Sequence, residues 1–273
     1  MEIVFSEDCL KFGMKGHPES PERVKSASDF LKSRGYKFVK PKEALEEEIL
    51  KVHTKELVGT VKSNKFFDFD TPNYPDIYRY ASLSAGAAIT ALEKEAFSLM
   101  RPPGHHAGKN FLGGFCYFNN IAIAIKNGAP DKKVLIVDID GHHGNGTEDI
   151  FLGEKSVVYL SLHRSPYYPG TGLKSFGNVI NKPLSYNSGN YVKTLEEGLK
   201  EAKKIMKPHL VAVSAGFDTL DGDLASLGLS VETYKKIGEI ISKLEKPTFA
   251  VLEGGYSRYL GECVDNFIQG LLG

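Results

Sequence analysis

The chain has 273 residues, 41% of them hydrophobic, and its 34 lysines and arginines balance its 34 aspartates and glutamates. That length and apolar content suit one large α/β domain or two small ones, and a neutral chain without a basic block is not built to bind nucleic acid. Cys9, Cys116 and Cys263 are widely spaced and make no C-x-x-C pair or disulfide framework, no stretch approaches the ~18 apolar residues of a membrane span, and the N-terminus has no signal-peptide pattern, so a soluble cytoplasmic protein is expected.

Short apolar runs alternate with amphipathic stretches along the chain. Strands are predicted at 2–6, 96–100, 133–140, 157–163, 210–218 and 248–255. Helices are predicted at 21–34, 43–51, 78–95, 118–127, 190–206 and 230–244. Several strands are too apolar to have a wet face, as in a parallel sheet covered on both faces. Pro21 opens the first helix and Pro208 follows the fifth, both in keeping with helix punctuation. The pattern predicts one doubly wound α/β domain over residues 1–273, with a mainly parallel central sheet flanked by helices. Residues 62–77, "KSNKFFDFDTPNYPDI", show no period and are predicted as a loop.

Ligands of such sheets bind beyond the carboxyl ends of the strands. The unusual residues fall there: "RPPGHHAG" after 96–100, "DIDGHH" at the end of 133–140, "HRSPYYPGTG" after 157–163, "GFDTLDGD" closing 210–218 and "EGGY" closing 248–255. Burying so many ionisable groups together is costly unless something pairs with them. Asp140 and His142, two residues apart, would point the same way on an extended chain, and Asp218 could supply a third ligand. Two carboxylates and an imidazole leave a position for water, the mark of a catalytic zinc site, and the same donors admit Fe(II), Mn(II) or Co(II). Taken singly, Asp140 also reads as a helix cap and His142 as a buried, hydrogen-bonded histidine.

His105 and His106 suit a general base and its acid or electrostatic partner, with Asp138 and Asn145 available as orienting acceptors. A second metal site or a polar turn is the other reading of that pair. Tyr256, after Gly254 and Gly255, could donate to a polarised carbonyl, or simply pack. Phe115, Tyr167 and Tyr168, in glycine-bounded loops, could wall a narrow apolar channel or plug the core.

Together these motifs resemble the histone deacetylase family, within the arginase/deacetylase fold. The matching stretches are "HPESPER" (17–23), "RPPGHHA" (101–107), "GFCYFNN" (114–120), "DIDGHHGNGTEDIF" (138–151), "SLHRSPYYPGTG" (161–172), "AGFDTLDGD" (215–223) and "EGGY" (253–256), in family order. The lack of a Trp before the histidine pair, and Asn145, look more like class II and bacterial or archaeal members than class I. The resemblance implies that Asp140, His142 and Asp218 bind zinc, and that His105 and His106 form the acid/base pair. Asp138 would stand behind His105, and Asn145 behind His106 where many relatives have Asp, leaving His106 the less basic. Tyr256 would polarise the amide carbonyl, Phe115 and Tyr168 would flank an acyl-lysine tunnel, and Gly114 would line it by backbone.

Arg23 matches the arginine near an internal acetate-exit cavity, and Asp70 the rim aspartate that holds the substrate backbone. A structural potassium ion would take the carbonyls of Asp138, Asp140, His142 and Leu162, the Ser161 hydroxyl and an Asp138 carboxylate oxygen; Phe151 and Val157 would lend carbonyls to a second. Ala225, seven residues after Asp218, stands where relatives specialised for acetylated polyamines can carry a Glu.

The expected function is a zinc-dependent amidohydrolase that removes an acyl group, acetyl first, from the lysine side chain of a protein or peptide or from a related small amine. The alternatives are an acetylpolyamine or small-molecule acyl amidase or esterase, a binuclear-manganese ureohydrolase of the arginase type, and a catalytically silent acyl-lysine binder. The ureohydrolase would need further Asp ligands where this chain has His143 and Asn145, and the silent binder would be expected to lack a ligand or the tyrosine. A monomer or small homo-oligomer is expected.

Overall fold

The computed structural model describes residues 1–187 and 189–273. The strands are β1 (Ile3–Val4), β2 (Phe38–Val39), β3 (Phe97–Ser98), β4 (Val134–Asp138), β5 (Val157–Arg164), β6 (Val179–Leu184), β7 (Leu210–Ala215) and β8 (Thr248–Leu252). They form one sheet in the order β2-β1-β3-β8-β7-β4-β5-β6, and every neighbouring pair is parallel. In its centre, β4 and β7 are buried at every residue, which explains their unbroken apolar runs. The register sets Asp138 at the end of β4 beside Ser161 of β5 and Ser214 of β7.

The helices are α1 (Pro21–Ser33), α2 (Glu46–Ile49), α3 (Lys55–Ser63), α4 (Ile77–Lys94), α5 (Asn120–Gly128), α6 (Asn145–Phe151), α7 (Tyr191–Ile205), α8 (Val231–Ser242) and α9 (Leu260–Leu272). Helices α1, α8 and α9 pack as one group and α2 to α5 as another. The backbones of α8 and α9 come close through two glycines: a Cβ on Gly238 would lie 2.8 Å from Leu271 N, and one on Gly270 2.9 Å from Glu239 N. Among the described residues, no helix is long and apolar enough to cross a membrane.

The predicted strands and most predicted helices are present, and residues 64–76 carry neither helix nor strand. Most of these strands end earlier than predicted; β4 stops at Asp138 and β7 at Ala215, so Asp140, His142 and Asp218 sit in the turns beyond. The predicted helix 43–51 shrinks to α2, because the chain before it runs extended over α4, where Ala44 N donates to Ser82 O (2.9 Å). Among the strands and α-helices of the described residues, β2, β6, α3, α6 and α9 were not predicted, nor was a short 3-10 helix at Glu7–Leu10. Pro183 in β6 argues against a strand in a sheet centre, and β6 forms the edge, where proline is tolerated. Helix α9 does carry a helical apolar period, at Leu260, Cys263, Val264, Phe267 and Ile268, all buried.

Candidate active site

The turns after β3, β4, β7 and β8 meet at one rim of the sheet and line a pocket of about 250 Å³. At its base, one donor atom each from Asp140, His142 and Asp218 lie within 4.8 Å of one another. His142 Nδ1 is 3.1 Å from Asp140 Oδ1 and 2.8 Å from Asp218 Oδ2. The second approach lacks hydrogen-bond geometry: Asp218 Oδ2 is buried and without a hydrogen-bond partner among the described residues. Both carboxylates are held by backbone amides, Asp140 Oδ2 by Gly254 N and Asp218 Oδ1 by Gly141 N, each at 2.8 Å. Burial disfavours every charge here. The cations of His105 and His142 still hold the Asp140 carboxyl well below its usual range, whereas burial and the Asp140 charge push Asp218 up to about 6. Two converging carboxylates, one imidazole and an orphaned buried oxygen suit a divalent cation better than a proton.

The histidine pair stands beside this centre, ring centroids 4.1 Å apart. His105 Nδ1 lies 3.1 Å from Asp138 Oδ2, which also accepts from the Tyr159 hydroxyl (2.8 Å). His106 Nδ1 donates to Asn145 Oδ1 (2.7 Å), which leaves Nε2 with its lone pair. Burial works against a charge on either ring. For His105 the carboxylates of Asp140 and Asp138 outweigh it and raise the ring to about 10. For His106 burial prevails, and the charges of His105 and His142 push it further down. Burial and the surrounding charges thus favour a proton on His105 over one on His106. The sequence reading also makes His106 the less basic partner, but the structural cause is burial and the charges of His105 and His142; the Asn145 hydrogen bond works the other way.

Phe115 and Tyr168 line the pocket together with Gly114, Asp70, Leu224 and Tyr256. The Tyr168 ring is 5.2 Å from that of His106, and Phe115 is 6.0 Å from Tyr256. Gly114 and Phe115 both take left-handed φ, +55° and +68°, in a turn pinned by Gly114 N to Asp70 Oδ1 (3.2 Å) and Phe115 N to Thr71 Oγ1 (3.0 Å). Tyr256 is set by its own N–H and that of Ser257, which donate to Asp223 Oδ2 at 2.9 and 2.8 Å.

The chain matches the histone deacetylase domain over residues 17–271. It belongs to the histone deacetylase family. It is 36% identical to a probable deacetylase of Archaeoglobus fulgidus, over 93% of this chain and 81% of that one. The crystal structure of the HDA15 HD domain is similar with a TM-score of 0.90 at 32% identity, over 100% of this chain and 88% of that one. The acetylpolyamine aminohydrolase of Burkholderia pseudomallei is similar with a TM-score of 0.92 at 25% identity, over 99% and 98% of the two chains. The parallel sheet flanked by helices is thus the arginase/deacetylase fold expected from the sequence.

Within this deacetylase-family domain, Arg23 lies beneath Tyr256. Its Nε donates to Gly255 O and its Nη2 to Glu253 O, both at 2.7 Å, and its guanidinium stands 4.8 Å from the Tyr256 ring centroid. Ser161 lies beside Asp138 across the sheet, with its hydroxyl 2.9 Å from His163 Nδ1, and Leu162 is buried beside it. Ala225 needs correction as a substrate-contacting residue: it is fully buried against Gly141, and its neighbour Leu224, 40% exposed, lines the pocket instead.

Sequence reasoning missed the supporting residues. Glu253, inside the quoted "EGGY", accepts from Gly104 N (2.7 Å), His105 N (3.1 Å) and Ser214 Oγ (3.0 Å); burial pushes it up to about 7. Arg101 is wholly buried and pairs bidentately with Glu19, at 2.7 and 2.6 Å, and Arg23 Nη1 meets the same Glu19 at 3.2 Å. Tyr159 and Asp223 complete the set. Glu19 and Arg101 had a signal, since both lie within family motifs; Tyr159 sits mid-strand and had none.

Proposed function

We propose that this single domain, residues 1–273, is a zinc-dependent amidohydrolase that removes an acetyl group from the lysine side chain of a protein or peptide. The observation that carries the reading is the juxtaposition, in one pocket, of the Asp140–His142–Asp218 donor set with the His105–His106 pair and with Tyr256. Asp140, His142 and Asp218 would hold the metal, which when bound supplies Lewis acidity to a water and to the amide carbonyl. Fe(II) is the first substitute, given two oxygen donors.

The remaining steps belong to the protein. His106 Nε2 takes a proton from the attacking water, because Asn145 already holds the Nδ1 proton. The His105 cation, held by Asp138, steadies the negative charge that develops nearby. The Tyr256 hydroxyl donates to the carbonyl oxygen as it becomes an oxyanion. His106 then returns its proton to the departing amine, so the ring ends as it began. Phe115 and Tyr168 hold the apolar stem of the side chain, and Asp70 at the rim accepts from the substrate backbone. Potassium at Asp138, Asp140, His142, Ser161 and Leu162 is part of the same reading, as is residence in the cytoplasm.

A second reading, hydrolysis of a small acetylated polyamine, draws support from the full-length likeness to an acetylpolyamine aminohydrolase. Leu224 at the mouth offers such a cation no charge, which favours the lysine reading. The test is acetate release from an acetyl-lysine peptide and an N-acetylpolyamine side by side, with zinc-loaded protein and a chelated control. Zinc-dependent release from the peptide supports the proposal. Release from the polyamine alone moves the function to small-molecule metabolism, and release from neither refutes both readings.

A further inference from the structure

A polar cluster that the proposed chemistry does not use lies where α6 hands over to β5. The last carbonyls of a helix lack intrahelical partners and carry its partial negative charge. Here Phe151 ends α6, and Glu154 and Val157 turn their carbonyls toward the same point. Carbonyl oxygens converging in this way can replace the hydration shell of a monovalent cation. The family resemblance implies potassium on the Phe151 and Val157 carbonyls.

The structure puts an amide there. Asn178 Nδ2, just ahead of β6, donates to Phe151 O (2.8 Å) and Val157 O (2.9 Å) and lies 3.3 Å from Glu154 O. Its Oδ1 accepts from Gly153 N (2.8 Å), and its backbone carbonyl accepts from Tyr159 N (3.0 Å). The orientation of the amide is fixed by its surroundings, because three acceptors face one end and a donor faces the other. Nitrogen and ion compete for the same lone pairs, and at these distances both cannot be accommodated.

We propose that the side chain of Asn178 takes the place of the second monovalent cation, so that this turn closes without an ion. The two amide protons serve the two nearer carbonyls, and Glu154 O shares one of them. The substitution also ties edge strand β6 to the α6–β5 turn by hydrogen bonds that do not vary with ion supply. It does not depend on the hydrolase reading, since Asn178 touches none of the residues assigned to catalysis.

The test is anomalous diffraction from crystals grown in rubidium chloride, for the wild type and for Asn178→Ala, with melting temperatures in potassium and in choline chloride. The expected result is no rubidium between Phe151 O and Val157 O in the wild type, and rubidium there in Asn178→Ala. Potassium should then raise the melting temperature of Asn178→Ala more than that of the wild type, by roughly 2–4 °C or more. Rubidium at that point in the wild type, with the amide swung out, overturns the proposal. So does a variant that gains neither the ion nor the extra response to potassium. Should Asn178→Ala fail to fold, Asn178→Ser is read in the same way, and the wild-type crystal decides the first question without either.

Discussion

Gly114→Ala separates the position of the His106 ring from metal retention. Gly114 has φ +55°, where an L side chain costs roughly 1–2 kcal/mol. An added Cβ would lie 2.7 Å from His106 Cγ and nearer still to Cδ2. Carbon atoms in contact prefer about 3.5–4.0 Å, so the ring must retreat by about 1 Å. The His106–Asn145 hydrogen bond, now 2.7 Å, does not survive that shift with useful geometry. A displacement of ~1 Å in a catalytic group costs about 100-fold in rate. The expected outcome is therefore kcat/KM for acetate release down by about 100-fold and a melting temperature lower by only a few degrees. Metal content should be unchanged, since Asp140, His142 and Asp218 are not displaced. It is read by metal analysis of the purified variant beside a steady-state assay. Wild-type kcat/KM in Gly114→Ala would refute both the role of His106 and the tightness of this contact.

Three further outcomes are expected. Tyr256→Phe keeps the ring over Arg23 and so the fold, but loses the oxyanion donor; kcat should fall ~100–1,000-fold with little change in melting temperature, and an unchanged kcat removes Tyr256 from the mechanism. Glu19→Ala leaves wholly buried Arg101 without its carboxylate partner and should cost about 3–5 kcal/mol in urea unfolding; a loss under 1 kcal/mol shows that the pair contributes little. His53 is neutral in the fold, with Nδ1 donating to Gly108 O (2.8 Å) and Nε2 accepting from Asn119 N (2.9 Å), and burial lowers it to about 4. A folded pKa below the unfolded value means stability complete above about pH 6.5 and lost as the pH falls toward 4. From pH 7 to 4.5 the wild type should lose about 2–3 kcal/mol more than His53→Gln, and equal losses would count against the assignment.

The sequence by itself determined the architecture and the chemistry-bearing residues. Unbroken apolar runs such as 134–138 are affordable only inside a doubly covered parallel sheet, and such sheets present their turns at one rim. That rule alone placed Asp140, His142, Asp218, the histidine pair and Tyr256 in one neighbourhood. Only the tertiary structure decided what surrounds them. The split between His105 and His106 depends on carboxylates that arrive from another strand, together with complete burial, and neither can be read along the chain. Leu224 in place of Ala225, the Glu19–Arg101–Arg23 network beneath Tyr256, and the Asn178 amide among the carbonyls of another turn are likewise matters of loop path. Local sequence sets the preferences of a turn, but contacts between residues far apart in the chain fix where its side chains end.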